Sequence, residues 1–194
     1  DDPWWGIGDA TWSPDGKHIA FSLRNEAQVQ RIHVWTVGAE APVQVTSDLA
    51  SCWSPSWSPD GQYLFHLSDR HYAPQISDLE WDYAGNERAL FYALALSKDF
   101  PHLFPPLDDE VAGATDEEAE DAGEDEVSEE ADDAELEVAI DFEGLAQRVM
   151  RVPVGPANYA GLSASDGHLL YVTTGPFVYG GSGGDTVLHR FSFE

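Results

Sequence analysis

One pentapeptide in this chain has the composition of a nucleophile site: Gly180-Gly181-Ser182-Gly183-Gly184, the Gly-x-Ser-x-Gly spacing that exposes a serine on a sharp turn. Such a serine needs a buried strand before it, a helix after it, and acid and histidine partners further along the chain. Here a β-like run follows, and ten residues remain after Gly184. His189 lies too near in sequence to complete the arrangement. The glycine density reads instead as an interstrand loop, and no catalytic residue is assigned.

The remaining reactive side chains are scattered. The seven histidines, at 18, 33, 66, 71, 102, 168 and 189, contain no His-x-x-x-His pair. Each reads as a sheet or surface histidine, with a proton donor lining a channel as the functional alternative. Cys52 is the only cysteine, which excludes an internal disulfide and leaves no metal-ligand spacing. It reads as a small buried residue. No Asp-x-Asp-x-Asp-Gly calcium loop occurs, so neither a metal nor another cofactor is expected. The seven tryptophans would suit carbohydrate stacking, but Trp12 and Trp57 occupy matching positions of a repeat and so read as framework residues. Trp4, Trp5, Trp53 and Trp81 stay open.

The elements that would position any site follow from that repeat. Trp12-Ser-Pro-Asp-Gly-Lys-His-Ile-Ala-Phe-Ser22 recurs as Trp57-Ser-Pro-Asp-Gly-Gln-Tyr-Leu-Phe-His-Leu67, an offset of 45 residues. That period is the size of a β-propeller blade, a four-stranded sheet that must stack on neighbours to bury its faces. Ser-Pro-Asp-Gly suits a type I turn with glycine at the left-handed exit. In the strands that follow, Ile19 with Phe21, or Tyr63 with Phe65, can face a neighbouring blade. Ser163 to Val172 is a weaker third copy. Arg31 to Val37 and Pro42 to Thr46 read as a hairpin around Gly38-Ala-Glu-Ala41.

Charge and length set the limits. The net charge is −27, yet 17 of the 36 acidic residues lie in the 30-residue stretch from Asp108 to Glu137, which has no Lys or Arg. With so few apolar residues to offset chain ordering, that stretch reads as a disordered acidic loop. A metal-binding or partner-binding tail is its alternative. The expected division is propeller blades over 1–107, the loop over 108–137, and blades continuing over 138–194. The 164 residues outside the loop correspond to roughly four blades. The fold class is therefore all-β, a partial β-propeller, read as an internal fragment of a longer protein. Its 19 remaining acids against 9 bases disfavour nucleic acid and anionic membranes as partners. The longest apolar run, Ala89 to Leu96, has eight residues, far short of the roughly 20 that cross a bilayer. With no signal peptide visible, the cytoplasm is the default location.

Three stretches carry a resemblance to a known family. They are Ser54 to Arg70, in which a blade turn leads into Leu-Ser-Asp-Arg; Arg88 to Pro106, a strand followed by a proline-bearing linker; and Val138 to Leu162, with Ile140-Asp-Phe-Glu-Gly144, Arg148-Val149 and Pro153 to Tyr159. Their order and spacing resemble the latter part of the second propeller of tricorn-type serine peptidases. The resemblance implies a cytosolic oligomer, often hexameric, that trims short peptides. Its propellers would act as size-selecting passages to a buried site, and its catalytic residues would lie in a C-terminal half outside this chain. No catalytic residue carries over. Arg70, at a strand end, is the candidate channel residue that would attract peptide C-termini; a surface pair with Asp69 is its structural alternative. The competing readings are a TolB-like protein-binding propeller with no enzymatic activity and the propeller of a prolyl-oligopeptidase-like enzyme. An incomplete ring would expose apolar blade faces, so the isolated chain is expected to self-associate.

Overall fold

A computed structural model describes residues 7–71, 75–76, 83–84, 87–105, 136–176 and 184–193. The acidic loop through residue 135, Ser182, Trp4, Trp5 and Trp81 lie outside these residues. Within them the architecture is antiparallel β throughout, apart from one 3₁₀ turn at Leu145–Gln147. The first blade contains β1 (Gly8–Trp12), β2 (His18–Arg24), β3 (Gln30–Thr36) and β4 (Val43–Gln44), paired in chain order. In the second, β5 (Cys52–Trp57) pairs β6 (Tyr63–Ser68). Next, β7 (Gln75–Ile76) and β8 (Tyr83–Ala84) form a hairpin of their own. The blade then completes with β9 (Leu90–Ala95) beside β6 and β10 (Val149–Arg151) beside β9. The third sheet is β11 (Tyr159–Ser165), β12 (His168–Thr173) and β13 (Val187–Ser192). Where roughly four blades were expected, the described residues form three blade-like sheets, and the β7–β8 hairpin is a separate two-stranded piece between β6 and β9.

The blade turns fold as their sequence dictates. Gly16 N donates to Ser13 O and Gly61 N to Ser58 O, both at 3.0 Å. The Ser13 and Ser58 hydroxyls then accept from His18 N and Tyr63 N at 2.9 Å. The Asp15 and Asp60 carboxylates accept from the backbone N–H two residues on, Lys17 N and Gln62 N, each at 3.0 Å. Serine, aspartate and glycine thus satisfy a tight turn locally, whatever blade surrounds it.

The third copy departs from the repeat in its turn, which is two residues shorter, so that each flanking strand is displaced by one position. Ser165 pairs directly with His168, so Asp166-Gly167 is a two-residue hairpin loop, whereas Ser13 reaches His18 across four residues. Because strand side chains alternate, a shift of one exchanges the faces. Leu169, not Leu170, therefore takes the place of Ile19 and Leu64, and it is fully buried.

Two apolar layers hold the blades face to face. The first joins Ala20, Ile32 and Val34 to Trp57, Leu64 and Leu94. The second joins Phe65, Leu67, Phe91 and Ala93 to Leu169, with Tyr159, Leu162, Tyr171 and Phe191 packed against them. The middle blade is covered on both faces, so every residue of β6 and β9 is buried. Tyr63 and Phe65 face the third sheet. In the first blade Ala20 faces the second, and by alternation Ile19 and Phe21 look the opposite way.

The acidic loop leaves the second blade after β9 and re-enters before β10, and the two ends are bound together. Asp141 N donates to Leu96 O at 2.9 Å, and the Asp141 carboxylate accepts from Ser97 Oγ at 2.8 Å and Lys98 N at 3.1 Å. Those donors, the Lys98 amide first, hold its carboxyl below the usual range. Arg148 donates to the carbonyls of Ala95, Leu96, Glu143 and Asp141, a fan of planar contacts that lysine cannot reproduce.

Val138, on the re-entering segment, packs onto the second turn. A Cβ on Gly61, where φ is +69°, would lie 2.6 Å from Val138 Cγ2, while one on Gly16, at +68°, meets nothing within 4 Å. Gly16→Ala is therefore expected to cost about 1 kcal/mol for its backbone alone. Gly61→Ala should cost about 2–3 kcal/mol, since overpacking adds to the strain. Urea midpoints of the two variants check this; equal losses would mean that Val138 yields freely.

Candidate functional site

The middle strands of the three blades end side by side: Arg24 closes β2, Asp69 follows β6 and Thr174 follows β12. Next to them the innermost strands begin, with Trp53 in β5 and Tyr159 in β11. Each innermost strand is bulged, the register shifting between Gly8 and Thr11, Trp53 and Ser56, and Tyr159 and Gly161. A bulge bends the strand and re-aims its side chains, and here the bends open a cleft of about 680 Å³ across the ends of all three blades.

The cleft is polar and carries two cations. Arg24, Gln28 and Gln30 line it from the first blade, Trp53, Asp69 and Arg88 from the second, and Asn158 and Thr174 from the third. Asp69 Oδ1 accepts from Ser51 N at 2.9 Å. Glu87 N donates to Asn158 Oδ1 at 2.8 Å, and Asn158 Nδ2 to Gly175 O at 3.3 Å, so this wall is a stitch between blades two and three. Behind it, burial and the neighbouring Tyr171 push the Tyr159 phenol up to about 12, which keeps it neutral. Amide, guanidinium and aromatic groups suit a polar, extended ligand with negative charge. Among the described residues no three His, Cys, Asp or Glu side chains gather as metal ligands.

Arg70 stands one residue beyond Asp69, at the same end of the blades. Its guanidinium lies 5.7 Å from the centroid of the Tyr92 ring, and Nη2 is 3.4 Å from Ser47 Oγ. Cys52 is buried, and burial pushes its thiol up. Trp57 is a framework residue, 6% exposed, its Nε1 donating to Thr11 O at 3.2 Å. Trp53 packs partly into the second core layer. Five histidines have polar partners: His18 with Thr36, His71 with Tyr92, His102, whose Nδ1 accepts from Phe104 N at 3.0 Å, His168 with Asp166 and His189 with Thr173. His66 is instead sealed between blades, 2% exposed. Arg24, Arg88 and Asn158 were not singled out by sequence; the available signal was the 45-residue offset, which maps Arg24 onto Asp69.

Antiparallel sheets stacked face to face, each starting from a bulged innermost strand, with a cleft across their matching ends, define a segment of a β-propeller. The chain belongs to the family described as the tricorn protease second beta propeller domain, which matches residues 3–194. It is 22% identical over 165 residues to a tricorn protease homolog of Saccharolobus solfataricus, covering 85% of this chain and 13% of that protein. It is 27% identical over 168 residues to tricorn protease homolog 1 of Streptomyces coelicolor, covering 85% of this chain and 15% of the relative. The crystal structure of the tricorn protease superposes with a TM-score of 0.67 at 18% identity, over 96% of this chain and 17% of that one; that likeness concerns the fold. The chain thus spans only a small part of the proteins it matches. Among the described residues no helix is long and apolar enough to cross a membrane.

Proposed function

We propose that this chain is the noncatalytic propeller segment of a tricorn-like serine peptidase that degrades short peptides, and that the propeller acts as a passage gating access to the enzyme. The family match from residue 3 to residue 194 is the observation that carries this reading. The catalytic serine and its partners belong, on this reading, to other parts of the peptidase, which works as a cytoplasmic homo-oligomer of hexameric type. A polar cleft at the ends of the innermost strands suits an extended peptide, since amide side chains can bracket its backbone while a folded protein is too wide to enter. Arg24 and Arg88, with Arg70 just beyond, would draw the carboxylate end of that peptide by their field.

The test uses a protein carrying this segment, assayed on short fluorogenic peptides with and without a serine-reactive inhibitor, beside this chain alone. Inhibitor-sensitive cleavage by the larger protein and none by the chain is expected. Absence of cleavage by a well-folded larger protein would favour a binding propeller. In the active protein, replacing Arg24 and Arg88 together by serine should raise KM for acidic peptides about threefold to tenfold with kcat nearly unchanged, the pattern of lost uniform binding. High salt should shrink the difference; a KM that ignores both changes would remove the cleft from the peptide's path.

A further inference from the structure

Asp-Gly occurs three times in this chain, at Asp15-Gly16, Asp60-Gly61 and Asp166-Gly167, each time in the turn after a blade's innermost strand. The three pairs are held differently. The Asp15 carboxylate accepts from Ser13 Oγ, Lys17 N and Val138 N, and that of Asp60 from Ser58 Oγ and Gln62 N. The glycine that follows is held as well, Gly16 N by Ser13 O and Gly61 N by Ser58 O, both at 3.0 Å. The third turn is too short for such a network, because Ser165 pairs with His168 directly. Asp166 and Gly167 are exposed, and among the described residues no hydrogen bond engages the Asp166 carboxylate or Gly167 N. The carbonyl between them is engaged. His168 Nδ1 lies 2.7 Å from Asp166 O, and since a carbonyl only accepts, that ring nitrogen carries the proton.

We propose that Asp166-Gly167 is a modification site, at which the chain forms isoaspartate and then becomes a substrate for a methyltransferase that uses S-adenosylmethionine. Gly167 N attacks Asp166 Cγ; the N–H proton and the hydroxyl of the protonated carboxyl leave as water, closing a succinimide ring. The His168 donor on Asp166 O polarises the same amide, which makes the Gly167 N–H more acidic and its nitrogen a better nucleophile. Water then opens the ring at either carbonyl. Breaking the bond from N to Cγ restores aspartate, whereas breaking the bond from N to the α-carbonyl leaves Gly167 N joined to Cγ, which is isoaspartate. The main chain gains one methylene and a free α-carboxylate. That carboxylate takes the methyl group from the sulfonium of S-adenosylmethionine, leaving S-adenosylhomocysteine. The lengthened loop lies three residues before Leu169, which the two-residue loop sets into the seam with the second blade, so isomerisation loosens that seam. In the other two turns the same attack must first break the hydrogen bonds on carboxylate and glycine. This site is independent of the proposed peptidase role.

The test ages the chain in warm neutral buffer, digests it with trypsin, and methylates the peptides with an isoaspartyl methyltransferase and labelled S-adenosylmethionine. Asp15, Asp60 and Asp166 then fall in separate peptides, the last in Val152–Arg190. Label is expected to accumulate in that peptide at least about tenfold faster than in the other two, since fewer hydrogen bonds break before attack. Asp166→Glu, an exposed change whose ring would be one atom larger and closes far more slowly, should remove the label. Its urea midpoint should hold during ageing while that of the original chain falls. His168→Phe should slow labelling about threefold through loss of one hydrogen bond; a merely structural loss there would loosen the loop and speed the reaction instead. Equal labelling of the three peptides, no label in Val152–Arg190, or label that persists in Asp166→Glu would overturn the proposal. Labelling of His168→Phe at the original rate or faster would overturn the part given to His168.

Discussion

Replacing Phe91 with alanine is expected to destabilise the chain by about 4 kcal/mol, the scale for a fully buried phenylalanine whose cavity cannot collapse. Phe91, the second residue of β9, is 0% exposed. Its ring centroid lies 4.2 Å from that of Tyr159 and 4.9 Å from that of Tyr171, so one side chain joins the second blade to two strands of the third. Its neighbours two residues either way are Ala89 and Ala93, too small to fill the gap, and its carbonyl is fixed by Val152 N at 3.0 Å. Phe91→Leu, which keeps most of the volume, should cost only about 1 kcal/mol. A second readout separates seam from core. Burial, helped by Tyr171, holds the Tyr159 phenol at about 12, and a water-accessible cavity beside it should bring that value back toward 10 in the alanine variant. Urea unfolding and a tyrosine absorbance titration measure the two effects. An alanine variant that loses less than about 1 kcal/mol, or that leaves Tyr159 unmoved, would mean that the seam does not depend on this ring.

What could be read from the sequence is what is decided within a few residues. Ser-Pro-Asp-Gly closes its own hydrogen bonds, so both full turns and the hairpin from Arg31 to Thr46 were legible without knowing what they pack against. The eight-residue apolar run from Ala89 was legible as a strand through the family resemblance, and its cause is visible in the fold: β9 has a blade on each face. Properties that depend on a neighbour were harder. The third turn is two residues shorter than the others, which moves Leu169 rather than Leu170 into the seam, and no local pattern marks that slip. Ile19 and Phe21 alternate in the same way as Tyr63 and Phe65 yet lie on the opposite face, because alternation fixes a phase only relative to a partner. The cleft was least legible. Arg24, Asp69 and Thr174 differ in chemistry and lie far apart in sequence, and only the stacking of blades brings them to one rim.

Acid should weaken this fold well before its carboxylates titrate, and His66 is the reason. It lies in β6, 2% exposed, stacked on Tyr92 at 5.8 Å between the first and second blades. Thr46 and Ser47 face it from the first blade, and Cys52, Ser68, Arg70 and Leu94 from its own. Its Nδ1 has no well-formed hydrogen bond, the Leu64 backbone compensates only in part, and the positive charge of Arg70 opposes a second cation. Desolvation therefore brings its value down to about 3 from 6.5. In the native state the ring is neutral, while in the unfolded chain it takes up a proton below about 6.5. Stability from this group is complete above that pH and is lost at about 1.4 kcal/mol per unit as pH falls toward 3. Between pH 7 and pH 5 the loss is about 2 kcal/mol. Asp15 and Asp141, both held below their usual value, contribute only nearer pH 4. His33, lowered by burial with Arg31 opposing its charge, adds a smaller slope in the same direction. His66→Phe keeps the stacked ring and removes the titrating group, so its urea midpoint should change much less between pH 7 and pH 5 than that of the original chain. Equal slopes in the two proteins would show that His66 is protonated in the folded state, and hence that water reaches the seam.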